Sequence, residues 1–312
     1  MTTTVAAKRR PEGTPPPTGR RTRKRDLLPL YFLTPAALVL AVFILLPLVR
    51  SFILSLFDAS LLKPDAGEFV GLGNYVDLAQ NPRFWNSLAV TLTYTICSVV
   101  LAYFVGLGTA MLLNRRFRLR WLARILMILP WAVPEVVAVM IFKWMLDAQF
   151  GIVNHLLMAV GVISEPVAWL NDPGTALVIV ILTTVWIEYP LATLILLAGL
   201  QTVPEELMES AQLDGAGRWQ RFRHVTLPLL RFVNIVVIIL LSLDTFRRTT
   251  LIYTMTGGGP RQATETLPVW TYVEAFANHR LGSASAIGIT VLLILGAATL
   301  SYFFTVIRKG ER

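Results

Sequence analysis

Residues 209–228 read Glu209-Ser210-Ala211-Gln212-Leu213-Asp214-Gly215-Ala216-Gly217-Arg218-Trp219-Gln220-Arg221-Phe222-Arg223-His224-Val225-Thr226-Leu227-Pro228. This polar, charged stretch separates two long apolar runs, at about 175–200 and 232–253. Just upstream, Pro204 is followed by Glu205, Glu206 and Glu209. Proline suits a helix start, and acids in the first turn meet the positive end of the helix dipole. Asp214-Gly215 then turns the chain. A second short helix is expected from about residue 218 until Pro228. The segment 201–231 therefore reads as helix, turn, helix. It is either a solvated loop between two spans or a docking surface for something outside a bilayer, and composition leaves both open.

The rest of the chain fixes the bilayer. Of 312 residues, 55% are hydrophobic and 15% charged, against about 25% charged in soluble domains. Several apolar runs exceed the roughly 20 residues that a helix needs to cross about 30 Å of hydrocarbon. Helices satisfy their own backbone hydrogen bonds, which lipid cannot do. A barrel would show short alternating segments instead. The expected fold is all-α, with six transmembrane helices at about 31–54, 88–113, 121–146, 175–200, 232–253 and 284–307.

Basic residues orient these spans. Lys and Arg number eight in residues 1–26, five in 114–124, four in 201–231 and three in 308–312. The opposite loops, 55–84, 147–174 and 257–283, hold two, none and two. The positive-inside rule then puts both termini and segment 201–231 in the cytoplasm. Residues 1–26 are rich in Pro, Gly, Thr and charge, the composition of a disordered tail. Its Arg20, Arg21, Arg23, Lys24 and Arg25 abut the first apolar run, a flank suited to anionic lipid rather than to nucleic acid. That run is too long for a signal-peptide core. The domain reading is thus a basic tail, 1–26, and a transmembrane domain, 27–312, carrying segment 201–231.

Other features narrow the chemistry. The single cysteine, Cys97, lies in an apolar run and reads as a small buried hydrophobe. His155, His224 and His279 are dispersed, so no metal site is expected. None of the five lysines follows a glycine, so the Gly-Lys pair of a P-loop is missing and energy must enter from another chain or an ion gradient. Pro130, Pro134 and Pro190 fall inside spans, where proline kinks helices. Arg50 and Lys143, near span ends, read as snorkelling side chains. Between spans, 68–87 is expected to hold a short interfacial helix with aromatic anchors, Gly257-Gly258-Gly259-Pro260 a tight turn, and 267–278 another short helix.

Four charges lie inside the fourth and fifth spans: Glu188, Asp244, Arg247 and Arg248. A charge at the bilayer centre costs about 2.5–3.5 kcal/mol on insertion scales, so it faces a partner or a cavity. Asp244 and Arg248 are spaced to meet on one helix face. They either pair, with each other or across to Glu188, to hold the bundle, or they line a path and hydrogen-bond a polar solute. The Arg247-Arg248 pair also suits an anionic, phosphorylated or uronic, sugar.

The spacing Glu209-Ser210-Ala211, three residues, Gly215, nine residues, Val225-x-Leu227-Pro228 resembles the cytoplasmic signature of binding-protein-dependent ABC importer permeases. That pattern is Glu-Ala-Ala, three residues, Gly, nine residues, Ile-x-Leu-Pro, so the chain departs from it at Ser210 and Val225. Leu196–Gln201, Val203–Leu207 and Asp214-Gly215-Ala216 extend the match. Phe69–Tyr75, Leu129-Pro130-Trp131 and Met255–Pro260 resemble the sugar-type (maltose/glycerol-phosphate-like) subfamily. The resemblance covers about 28–307 and implies a type I ABC importer permease fold in a bacterial inner membrane, without catalytic residues. It implies that 201–231 docks on a separate ATPase through Glu209, Ser210, Ala211, Asp214, Gly215, Leu227 and Pro228. It further implies a second permease, two ATP-binding subunits that hold ATP and Mg, and an extracytoplasmic solute-binding protein. Carbohydrate or a related polar solute is the expected cargo. The rival readings are a proton-coupled secondary transporter with Glu188 as proton site, and a membrane enzyme, for which no His, Asp or Ser cluster is apparent.

Overall fold

The computed structural model describes residues 28–307. The expected tail, 1–26, and the last basic residues, 308–312, lie outside them. The chain divides into two compact units at Leu48/Val49. The first is helical where described. Helix α1, Leu28–Leu40, passes through a π turn, Ala41–Leu45, into α2, Leu46–Leu54, which continues into the second unit.

The second unit departs at once from an all-α reading. Strands β1 (Phe57–Ser60) and β2 (Lys63–Phe69) form an antiparallel hairpin in which Phe57 pairs with Phe69. Helix α3, Gly73–Gln80, follows. Asn74 Nδ2 donates to the carbonyls of Ser55 (2.8 Å) and Phe57 (3.0 Å), which ties this helix to the hairpin base. The short helix expected within 68–87 is α3, with the end of β2 before it and the start of the next helix after it. The sheet is too short to show as alternation in the sequence.

Helix α4, Pro82–Asn114, starts six residues before the expected span, at residue 82 rather than 88. Asn81 caps it, its Oδ1 accepting from Arg83 N at 2.9 Å, with Pro82 as the first helical residue. The third span is not continuous. Helices α5, Arg120–Ala132, and α6, Glu135–Met145, meet at 96°. Helix α7, Ile152–Ala159, is short. Helix α8, Pro173–Leu200, is unbroken through Pro190 and is capped by Asp172, whose Oδ2 accepts from Thr175 N at 3.0 Å. Helices α9 (Glu205–Leu213) and α10 (Arg218–Arg221), a π turn (Phe222–Thr226) and α11 (Leu227–Leu229) make up the opening segment. Then α12, Arg231–Arg247, ends six residues before the expected end of the fifth span, and α13, Thr250–Thr256, is a separate helix. Helix α14, Leu267–Tyr272, with a π turn to Ala277, matches the short helix expected at 267–278. Last comes α15, Leu281–Ile307.

Among the described residues, three helices are long and apolar enough to cross a membrane unbroken: Tyr31–Leu54, Pro82–Asn114 and Pro173–Leu200. Two bent pairs raise the number to five, and Leu281–Ala297 is a shorter apolar helix.

The core forms where α4 and α8 lie along each other with α12 against both. In lipid there is little hydrophobic gain between helices, so close van der Waals packing by small residues has to hold them. Ala102, Ala110 and Ala192 are fully buried. A Cβ on Gly106 would stand 2.6 Å from Ala192 Cβ, so the two backbones approach as only glycine permits. Tyr94 and Thr184 hydroxyls meet at 2.9 Å across the seam and satisfy each other. Cys97 is half-buried against this core.

A second cluster, Leu78, Phe84, Leu267, Trp270 and Ile287, closes the other end of α4 against α14 and α15. Arg83 makes a bidentate pair with Glu265 (2.8 and 2.6 Å) and lies 5.1 Å over the Trp270 ring. Lys143 Nζ donates to the Thr254 carbonyl at 3.2 Å, so it has a partner as well as water.

Candidate functional site

Two helix breaks build one cavity. Val133 and Pro134 are extended, since proline removes a helix donor and pushes the residue before it out of the α region. The chain turns there, and Glu135 opens α6. Opposite, Arg248 is extended (φ −70°, ψ 106°) between α12 and α13. The middle of α8 joins the two breaks. Together they enclose about 650 Å³, lined among others by Trp131, Glu135, Glu188, Asp244, Arg247 and Arg248.

Arg248 is the centre of the charge arrangement. Its Nη1 donates to Glu135 Oε2 at 2.6 Å and its Nη2 to Glu188 Oε1 at 2.7 Å and to Asp244 Oδ2. Thr245 Oγ1 donates to the second Glu188 oxygen at 2.9 Å. Arg248 and Glu188 side chains are 8% and 4% exposed, so this pair is buried. Charges taken out of water persist only with such partners. Arg247 differs: it is 75% exposed and bonds Asp244 at 2.9 Å. The adjacent arginines are thus not a matched pair, one being buried among three carboxylates and the other exposed and paired with Asp244.

All four charges singled out in the sequence, Glu188, Asp244, Arg247 and Arg248, line this cavity. The Asp244–Arg248 contact and the link across to Glu188 are both present. Glu135 was not singled out in the sequence, and Trp131 entered only through the resemblance of Leu129-Pro130-Trp131. The signal for Glu135 was available, since it is an acid after Pro134 inside the run 121–146. Trp131, 55% exposed, had no signal there of a place in the cavity.

The opening segment lies elsewhere, at the far end of α8. Pro204 precedes α9, and Glu205 and Glu206 fill its first turn. Gly215 has φ +82°, a left-handed conformation that L side chains pay for, and open space lies around its missing Cβ. Gln220 Oε1 accepts from Gly217 N at 2.8 Å and caps α10, while Arg221 Nη1 donates to Gln212 Oε1 at 2.8 Å and ties α10 to α9. The chain then bends by 72° into α12. Glu209 and Ser210 are exposed on α9, with Ala211 half-buried. Asp214 and Gly215 form the exposed turn, and Leu227 and Pro228 begin α11. Leu213 (89% exposed) and Trp219 (68%) stand out from the same segment. Large apolar side chains in a polar stretch mark a surface to be covered, and the sequence reading passed over both.

With this architecture the class is a helical membrane transport protein. Residues 98–310 match the family described as "Binding-protein-dependent transport system inner membrane component", and the chain belongs to it. It is therefore a multi-pass inner-membrane permease and not an enzyme. Among its relatives is the sulfoquinovosyl glycerol transport system permease protein SmoG of Agrobacterium fabrum, 35% identical over 91% of this chain and 92% of that one. The trehalose/maltose transport system permease protein MalF of Thermococcus litoralis is 37% identical over 86% and 90%. In fold it resembles a chain of a bacterial ABC transporter involved in import of the acidic polysaccharide alginate, with a TM-score of 0.78, 22% identity and coverage of 91% and 96%. The type I ABC importer permease fold follows.

Proposed function

We propose that this chain is the permease subunit of an ATP-driven carbohydrate importer and that the cavity around Arg248 is part of its translocation path. The observation that carries this is the cavity itself: polar groups of both signs surround about 650 Å³ between broken helices. Arranged donors and acceptors suit sugar hydroxyls, and the exposed face of Trp131 suits an apolar sugar face. Relatives named for trehalose, maltose and sulfoquinovosyl glycerol support the cargo class.

Local charge favours a neutral sugar. Three carboxylates, Glu135, Glu188 and Asp244, face two guanidinium groups. Arg248 is taken up by carboxylates, which leaves Arg247 as the exposed donor.

The chain works with partners. It pairs with a second permease, two ATP-binding subunits that hold ATP and Mg, and an extracytoplasmic solute-binding protein. Segment 201–231 is the ATPase-coupling surface, through Glu209, Ser210, Ala211, Asp214, Gly215, Leu227 and Pro228, with Leu213 and Trp219 added here. Both termini face the cytoplasm, the spans number six, and 1–26 is a tail preceding the transmembrane domain 27–312. ATP closure draws the coupling segments together, and the bent helices rock the cavity open to the outside.

Uptake of neutral disaccharides and of anionic sugars by cells carrying the complete importer tests the cargo. Asp244→Asn and Arg247→Ala are expected to lower uptake of a neutral sugar with the complex still assembled. Unchanged transport in both variants would reduce the cluster to a structural brace. Exclusive uptake of an anionic sugar would overturn the neutral assignment.

A further inference from the structure

A second charged cavity lies between the opening segment and the ends of α4 and α8. It encloses about 410 Å³ and is lined by Arg115, Arg218 and Arg221, with Asn114, and by the apolar Met111 and Phe222 among others. No Asp or Glu lines it. Among the described residues, none of these three arginines has an ion pair, and Arg115 and Arg218 make no side-chain hydrogen bond. Arg221 spends one nitrogen on Gln212, and its Nε is buried with no partner. Nearby Arg120 is already used, donating to the Leu113 carbonyl at 2.6 Å.

Three unpaired guanidinium groups around one space repel one another, and a buried unpartnered N–H costs free energy. An anion with several acceptor oxygens relieves both. Phosphate matches the planar fork of arginine in two-pronged fashion. The position fits as well. Asn114 and Leu200 end two long apolar helices, and exposed Trp121 and Trp219 lie near in sequence to the lining arginines, as aromatic side chains do at the headgroup level.

We propose that this cavity binds a phosphate group, bridging Arg115 at the end of α4 to Arg218 and Arg221 of the coupling segment. The phosphate comes from an anionic lipid headgroup or from a soluble phosphate compound. Either source would fasten the segment to the transmembrane bundle, so occupancy would set how firmly motion in one is passed to the other. The assignment is independent of which solute is carried.

The test uses the complete importer in nanodiscs of phosphatidylcholine, with or without phosphatidylglycerol, and with or without inorganic phosphate at fixed ionic strength. Lipid retention is read by native mass spectrometry and phosphate binding by the thermal midpoint. Wild type is expected to retain phosphatidylglycerol or to gain midpoint with phosphate. Arg221→Gln and Arg115→Gln should each weaken that response roughly tenfold, as loss of a charged hydrogen bond does. Arg223→Gln, exposed on the same segment and outside the cavity, should not. If Arg221→Gln fails to assemble, Arg115→Gln, at an exposed helix end, carries the test. Retention alone assigns the lipid, and a phosphate response alone assigns the soluble compound. Absence of both, or an equal loss in Arg223→Gln, would overturn the proposal.

Discussion

Arg248 and Glu188, sixty residues apart in sequence, meet at 2.7 Å in the wall of the larger cavity, both nearly excluded from solvent. The contact is made from the helix break, where Arg248 follows the last residue of α12 in an extended conformation. The pair therefore ties the shape of the cavity to its charge.

Removing the cation should damage more than removing its neighbour. Arg248→Met leaves Glu188 and Glu135 without their partner, and breaking a buried pair costs about 3–5 kcal/mol. Arg247→Ala removes an exposed side chain and should cost under about 1 kcal/mol. Thermal unfolding of the purified complex would separate them. Adding Glu188→Gln to Arg248→Met should restore part of the loss, since the two sites share one interaction. Equal stability of both single variants would contradict the assignment of Arg248 as the hub.

Gly215 should tolerate a small side chain structurally and resist it functionally. A Cβ there meets open space, but φ +82° costs an L residue about 1–2 kcal/mol. Gly215→Asp is expected to leave the complex inserted in the membrane while ATP-coupled uptake is abolished. Membrane-fraction immunoblots and transport assays read the two separately, and normal uptake would defeat the coupling role.

Gly106 is the opposite case. Gly106→Val places a side chain on Ala192, with its Cβ at 2.6 Å, and should separate α4 from α8 at a cost of about 1–3 kcal/mol, as overpacking does. The expected result is a lower thermal midpoint and less assembled complex. A paired Ala192→Gly should recover part of it.

The turn after α6 should loosen in acid. Asp147 Oδ1 accepts from the backbone N–H of Phe150 (2.9 Å) and Gln149 (2.8 Å), which hold this exposed carboxyl below the usual aspartate range. Its folded pKa is depressed, so the contribution is present above the unfolded value of 3.8 and is lost as pH falls through the folded value. Hydrogen-exchange protection of the Gln149 and Phe150 amides should fall in strong acid in the wild type. In Asp147→Asn it should be insensitive to pH. Identical pH profiles would rule out the carboxylate as the lock.

Much of this was legible in the sequence for physical reasons. The apolar runs are long in the sequence even where the helices break, and Glu188, Asp244, Arg247 and Arg248 declare themselves because charge in an apolar run needs a partner. Gly215 was legible because its turn demands a left-handed residue. The sharp bend at Pro134 was not, since proline in a span reads equally as a mild kink, as continuous α8 through Pro190 shows. The break at Arg248 left no Gly or Pro mark at all. It coincides with a tertiary feature no local pattern reveals: the Arg248 guanidinium meets three carboxylates from three helices. The hairpin at 57–69 is held by Asn74 and by Arg280 beside Ser60, contacts too distant for any local pattern to reveal.

In the proposed function, transport is powered from outside the chain, at segment 201–231. Sugar uptake by proteoliposomes containing the complete importer, with and without ATP and with a protonophore, tests it most directly. Uptake should require ATP, persist when the proton gradient is collapsed, and disappear in Gly215→Asp. Uptake that proceeds without ATP and stops with the protonophore would contradict it and return Glu188 to the role of a proton site.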